Sequence, residues 1–243
     1  MNLARLALLL SLLALLVLLI GGPGYRLGLW GLGFGLLGVM RYALILGAIG
    51  ALAALVQLLL PRFRRGRSLP LAVALVLGLV VVAVPLSVRQ TAERLPMIHD
   101  ISTDTEDPPA FVEIAPLRAD APNPVAYAGA ETAAAQRAGY PDLETAHSEL
   151  APAALFEHAL AAARAMGWEI VAHDQTAGRI EASTTTFWYG FVDDIVIRIR
   201  PSADGSALDI RSKSRVGRSD LGANAARIRA FLERLQPHWR PAQ

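Results

Sequence analysis

Residues 69–88 read LPLAVALVLGLVVVAVPLSV, twenty positions without a charge. About 20 apolar residues are what a helix needs to cross a hydrocarbon core about 30 Å thick. Pro70 fits the first turn of such a helix. Pro85 falls in its last turn, where a kink is tolerated. Upstream, residues 42–60, YALILGAIGALAALVQLLL, give a second span whose one polar residue is Gln57. Residues 6–20, LALLLSLLALLVLLI, give a first span of about 3–22. Arg5 before a short apolar run is also how a cleaved signal peptide begins, but no Ala-x-Ala site follows. The front of the chain therefore reads as three transmembrane helices.

Between the first two spans, residues 25–60 hold only Arg26, Arg41 and Gln57 as strongly polar positions. One helix through all of them would reach roughly 54 Å at ~1.5 Å per residue. We therefore expect a break near Met40-Arg41, with residues 25–40 as an interfacial segment. Gly28, Gly31, Gly35 and Gly38 would share one face of a helix. Such a face serves close intramolecular packing or a homo-oligomer. A phosphate-binding loop is not indicated, because no Gly-Lys-Ser/Thr follows.

Charge divides the chain at the same place. The first 88 residues carry seven Arg and no acid; the other 155 carry 16 basic and 21 acidic residues. The formal +2 is thus a difference between two unlike parts, and no nucleic-acid partner is implied. The 243 residues include no cysteine, which excludes disulfides, Cys-zinc sites and thiol nucleophiles. Arg62, Arg64, Arg65 and Arg67 crowd the loop between the second and third spans. A loop so rich in Arg stays cytoplasmic. On that rule the N-terminus is cytoplasmic and the C-terminal part periplasmic, in the inner membrane of a Gram-negative-like cell. The membrane is the first partner expected.

Residues 89–150 are acidic and Pro-rich, with four basic and eleven acidic side chains. We read them as a wrapping or connecting segment with one short helix near 131–138. Residues 151–240 have clear periodicity: a helix over 152–166, strand-like runs over 168–174, 179–187, 191–200 and 207–215, and a last helix from about Asp220. The order predicts an α+β fold, a two-layer domain with a four-stranded antiparallel sheet packed against two helices. Taking Asp204-Gly205 as a two-residue turn places Ile199 opposite Ile210 and Arg198 opposite Arg211, with the isoleucines facing the helices.

The opposite face would carry Asp194, Arg198, Arg200, Arg211 and Arg215. Like charges across a pair of strands cost stability. Three readings follow: a solvated charged face, a dock for Asp100, Asp104, Glu106 and Asp107, or a site for an anionic envelope ligand or partner protein. Arg suits the last two because its fork matches carboxylate and phosphate.

Long strings carry a resemblance. Met97–Pro109 (MIHDISTDTEDPP), Trp168–Val171 (WEIV), Phe191–Arg198 (FVDDIVIR) and Asp209–Asn224 (DIRSKSRVGRSDLGAN) resemble the bacterial domain of unknown function 1499 family over roughly residues 95–237. The hydrophobic front resembles the membrane region of many of its members. The resemblance implies membrane attachment and transfers no catalytic residue, substrate or cofactor.

Candidate chemistry is sparse. His99 and Asp100 with Asp104 form a potential metal or acid–base group, but a structural role for this segment fits its Asp, Ser and Thr side chains better. Asp193-Asp194 point to opposite faces of a strand. The hydroxyls of 211–219 have no nearby base. His147, His158 and His173 read as surface residues. Phe187-Trp188-Tyr189 suits a core corner or, less well, a membrane-interface anchor. No metal and no cofactor is expected. The favoured function is binding; the alternative is a hydrolase-like enzyme using His99, Asp100 and Asp194.

Overall fold

The computed structural model describes residues 2–235; the end of the expected 151–240 domain, from 236, lies outside them. The chain divides into two compact units. One holds the residues up to Glu93 together with Phe187–Gly190, the other residues 94–186 and those from Phe191 onward.

The first unit contains three helices long and apolar enough to cross a membrane, Leu3–Arg26, Phe34–Leu59 and Ser68–Arg94. α1 is Leu3–Arg26, α2 Val39–Leu59, α3 the single turn Pro61–Arg64, and α4 Ser68–Arg94. Large aliphatic side chains project outward along the long helices, among them Leu9, Leu16, Leu52, Leu55, Val76 and Leu79. Small residues face inward: Ala7, Ala14, Ala43, Ala54 and Ala74 are buried. Without a hydrophobic drive between helices in lipid, close backbone approach and interhelical hydrogen bonds hold such a bundle. At Gly78 of α4, an added Cβ would lie 2.6 Å from the Gly47 carbonyl oxygen of α2. Ser11 Oγ donates to the Ala74 carbonyl at 2.8 Å. Gln57, the one polar residue of its span, is buried and donates to the Leu3 and Ala53 carbonyls.

The segment before α2 differs from expectation. A five-residue π-helical stretch, Phe34–Gly38, runs straight into α2. No break occurs at Met40-Arg41, because neither a proline nor a glycine there interrupts the backbone ladder. Nor is residues 25–40 one interfacial element: α1 continues to Arg26 and a turn follows. The four glycines therefore do not share a helix face. Gly28 sits in that turn at φ +71°, and Gly31 precedes the helix with open space around it. Gly35 is packed by the Trp30 indole and Gly38 by the Phe34 ring. Trp30 Nε1 also donates to the Gly21 carbonyl at 3.1 Å. The tip Phe187–Gly190 clusters here as well. Arg26 donates to the Phe187 carbonyl at 2.8 Å and Tyr189 Oη to the Gly35 carbonyl at 3.2 Å. Phe187 itself is 86% exposed, so the tip is not a core corner.

The second unit is α+β. β1 is Asp100–Ser102, α5 Ile114–Leu117, α6 Ala130–Gly139, β2 Ala146–Ser148, and α7 Pro152–Ala165. Then follow β3 Glu169–Asp174, β4 Arg179–Thr185, β5 Val192–Ser202, β6 Gly205–Ser214 and α8 Ala223–Leu235. The sheet is antiparallel in the order β1-β6-β5-β4-β3, with β2 also pairing to β6. It thus has six strands rather than four. The extra two are three-residue strands in the Pro-rich stretch, too short for a period-2 pattern to register.

α7 and α8 cover one face. Leu155, Phe156 and Leu160 of α7 and Ile228, Phe231 and Leu232 of α8 pack on Ile180, Ile195, Ile197, Ile199, Leu208 and Ile210. Trp168 stacks on Phe231 with ring centroids 5.4 Å apart. At about 25 cal/mol per Å² of apolar surface removed from water, this cluster is the main favourable term for the unit.

The β5–β6 register is shifted by two from the expected one. Ile197 pairs with Ile210, Arg198 with Asp209, and Ser202 with Gly205, so the turn is Ala203-Asp204. An even shift keeps every side chain on its expected face and changes every partner. The predicted Arg198–Arg211 pairing is thereby replaced by Arg198–Asp209 and Val196–Arg211. Gly205 has φ +133°, and a Cβ there would run into the Ser148 carbonyl. This glycine is needed for the close approach of β2 rather than for the turn itself.

Candidate functional site

Alternation along β1, β4, β5 and β6 places Asp100, Glu181, Asp194, Arg198, Arg200, Asp209, Arg211 and Lys213 on the face away from the helices. None of these charges is left without a counter-charge. Residues 103–128 lie over that face, and apolar contacts pin them there: Phe111 and Ile114 pack with Val125, Val171 and Val196.

Beneath this cover the charges form four groups. Asp100 accepts from Arg211 Nε at 2.8 Å and Nη2 at 2.9 Å, and from Lys213 Nζ at 2.8 Å. All three side chains are essentially inaccessible. Arg211 also donates to the Pro109 and Val125 carbonyls, and Lys213 to the Ala126 carbonyl. The Arg211 guanidinium lies 5.0 Å from the centroid of Phe111. Burial, aided by Arg211 and Arg118, pushes the Lys213 ammonium below its ordinary range, against the pull of Asp100. Burial and Asp100 push the neighbouring Tyr127 hydroxyl up to about 12.

Asp194 is held bidentately by Arg215 at 2.8 and 2.9 Å, by Arg118 at 3.1 Å and by Ser183 Oγ at 2.7 Å. Asp209 accepts from Arg198 at 3.0 Å, Arg200 at 2.7 Å and Thr145 Oγ1 at 2.6 Å. Arg198 reaches onward to Asp104 at 3.0 Å and Asp107 at 2.8 Å. Glu181 receives the backbone N–H groups of Val112, Glu113 and Ile114 and pairs with Arg179 at 3.0 Å. Of the four upstream acids, Asp100, Asp104 and Asp107 thus dock on the arginines, while Glu106 pairs with Arg137. The most exposed cation of the group is Arg200.

A different place remains open. Met97, Ile98, His99, Asp100, Asn123, Ala128, Thr132 and Arg218 line a cleft of about 210 Å³ beside β1. His99 is half-buried, and its Nδ1 is shielded from solvent with no hydrogen-bond partner. Burial first, then the Lys213 charge, lowers the imidazole below its ordinary 6.5, while Asp100 and Asp220 oppose that shift. Asn123 Nδ2 donates to the Ser214 and Gly217 carbonyls and fixes the loop that carries Arg218.

One pH effect follows. His99 binds its proton less readily folded than unfolded, so its contribution to stability is complete above about pH 6.5. It is lost as pH falls from there through the lower folded pKa. We expect His99→Gln to flatten the stability profile between pH 7 and 5, measured by denaturant unfolding. An unchanged slope would show that other groups set the acid limb.

The family described as a protein of unknown function (DUF1499) matches residues 100–235, from β1 to the end of α8. The chain belongs to the DUF1499 family. No curated protein matches it.

Of the hydrolase-like candidates, Asp100 and Asp194 belong to two separate ion groups, one with Arg211 and Lys213 and the other with Arg215 and Arg118. The Asp100 and Asp194 carboxylates are saturated by cations, and His99 Nδ1 bonds to no hydroxyl. Among the described residues no group of three or more His, Asp and Glu is placed to hold a metal ion. Sequence reasoning singled out His99, Asp100, Asp104, Asp194, Arg198, Arg200, Arg211 and Arg215 as candidate site residues, with Asp194 and the four arginines on this face. It missed Arg118, Glu181 and Arg218. Glu181 carried a usable signal, since it alternates with Ile180 and Ala182 on β4 and falls on the arginine face. Arg118 lies in a stretch without periodicity and gave none.

Proposed function

We propose that this protein is a membrane-tethered binding module that displays its DUF1499 domain on the periplasmic side of the inner membrane. Its contact surface for an envelope component is the His99 cleft, rather than the arginine face as a whole. The observation that carries this reading is the contrast within one domain. The charges on the sheet are consumed by their own chain, while the cleft is lined by His99, whose shielded Nδ1 has no partner, and by Arg218, which has no ion pair among the described residues. The arginine-rich loop of residues 61–68 supports the sidedness.

The absence of cysteine makes the test direct. Met97→Cys, at the exposed rim of the cleft, is expected to react with a membrane-impermeant maleimide in cells whose outer membrane alone is permeabilised. Arg65→Cys, in the loop between the second and third spans, is expected to react only after the inner membrane is opened. The reverse pattern would overturn the sidedness. A benzophenone maleimide at Met97→Cys is expected to give a photo-adduct in native membranes that the same reagent at His173→Cys, on exposed β3, does not. Identical labelling at both positions would remove the cleft as the contact surface.

A further inference from the structure

We propose that the His99 cleft recognises a phosphate group, with Arg218 as the principal cation and His99 as a second donor; this rests on the cleft being the contact surface. Nine arginines of the domain are ion-paired to carboxylates. Arg218, exposed at the mouth of the cleft, has no ion-pair partner among the described residues. Arg164 and Arg234 also lack an ion pair among the described residues, but neither lines this cleft; a guanidinium without a carboxylate at a cleft is a fork available to a tetrahedral oxyanion. The loop holding it is anchored: the Gly217 carbonyl accepts from Asn123 Nδ2 at 2.9 Å, so a residue that lines the cleft fixes the backbone next to Arg218.

His99 supplies the second element. It lines the same cleft, and its Nδ1, shielded in the unliganded domain, has no partner; a small rotation of the imidazole turns that unmade hydrogen bond toward a ligand atom. The Thr132 hydroxyl adds a neutral donor on the facing helix α6. The local charges allow an anion. Asp100 is neutralised by Arg211 and Lys213, and Asp220 is occupied as acceptor for the Gly222 and Asn224 N–H groups. Lys213, behind Asp100, adds positive potential to the same wall. A volume of about 210 Å³ admits a group the size of several waters, each about 30 Å³ in the liquid.

The test uses the full chain in phosphatidylcholine nanodiscs with ¹⁵N-labelled histidine, His99 being assigned by its loss in His99→Gln. Inorganic phosphate is titrated in one arm, and phosphatidic acid replaces part of the lipid in the other. Saturable movement of the His99 signals with a raised His99 pKa is expected. Arg218→Gln should weaken the response about tenfold or more without moving the unfolding midpoint. A response to inorganic phosphate identifies a soluble phosphate ester as the source, and a response confined to phosphatidic acid identifies a lipid headgroup. No response in either arm, or one indifferent to Arg218→Gln, overturns the assignment. If the Met97→Cys photo-adduct still forms, the cleft stands and only its ligand chemistry falls; if the adduct is also missing, both fall.

Discussion

Asp100→Ala is expected to destabilise the DUF1499 domain by about 3–5 kcal/mol, the usual cost of removing one partner from a buried ion group. The substitution leaves Arg211 and Lys213, both buried, facing each other's charge with nothing between them. Their remaining bonds go to the backbone carbonyls of Pro109, Val125 and Ala126, which do not neutralise a charge. Native-state hydrogen exchange of the β6 amides in the full-length chain measures the effect, since these report the global opening of the sheet. A loss below about 1 kcal/mol would mean that water reaches the group. The companion variant Asp100→Leu with Arg211→Met and Lys213→Met is expected to recover most of the loss, because apolar replacements remove the desolvation cost along with the charge. Recovery would show that the triad specifies the docking of residues 103–128 more than it stabilises it.

Glu181→Ala acts on the cover instead of the sheet. The carboxylate holds three consecutive backbone N–H groups at the start of α5, at 2.8–3.1 Å. Its removal orphans those donors and leaves Arg179 without its carboxylate. Hydrogen bonds to a charged acceptor contribute about 1.5–3 kcal/mol each and do not add fully, so a loss of about 3 kcal/mol is expected. It should be local. Exchange at 112–118 should rise far more than at Ile195–Ile199 in the core of β5. Equal acceleration in both segments would show that cover and sheet open as one unit.

The hydrophobic periodicities made much of this architecture legible. The apolar spans and the 4-3-4-3 spacing of Leu221, Ala225, Ile228, Leu232 and Leu235 identify helices because burial in lipid or on a sheet imposes one period. Four of these five lie in α8; Leu221 precedes it. The face of every β5 and β6 residue followed from alternation alone. Their partners did not, because Asp204-Gly205 is a strong turn signal that the approach of β2 overrides at Gly205. A wrapping or connecting role for residues 89–150 was legible, but the way residues 103–128 seat on the sheet was not, for a different reason. Residues 103–128 are held by side-chain bonds to distant strands rather than by a repeating pattern, and long-range pairing of that kind leaves no local trace. For the arginine face the sequence left three readings open: a solvated surface, or anions supplied by the chain's own acids or by a ligand. That its own chain supplies them became evident only once Asp100, Asp104 and Asp107 were seen in place.

The sequence distance between Asp100 and its cations sets the order of events during synthesis. Arg211 lies 111 residues downstream, so the acidic stretch emerges long before the strand that neutralises it. Contacts of such separation form late and slow the search for the native state. Until β6 arrives, the nascent segment is a negatively charged, Pro-rich tether with little to pair with, which disfavours premature collapse. The last hairpin therefore works as a latch: the layer of charge beneath the cover is complete only when β6 is in place.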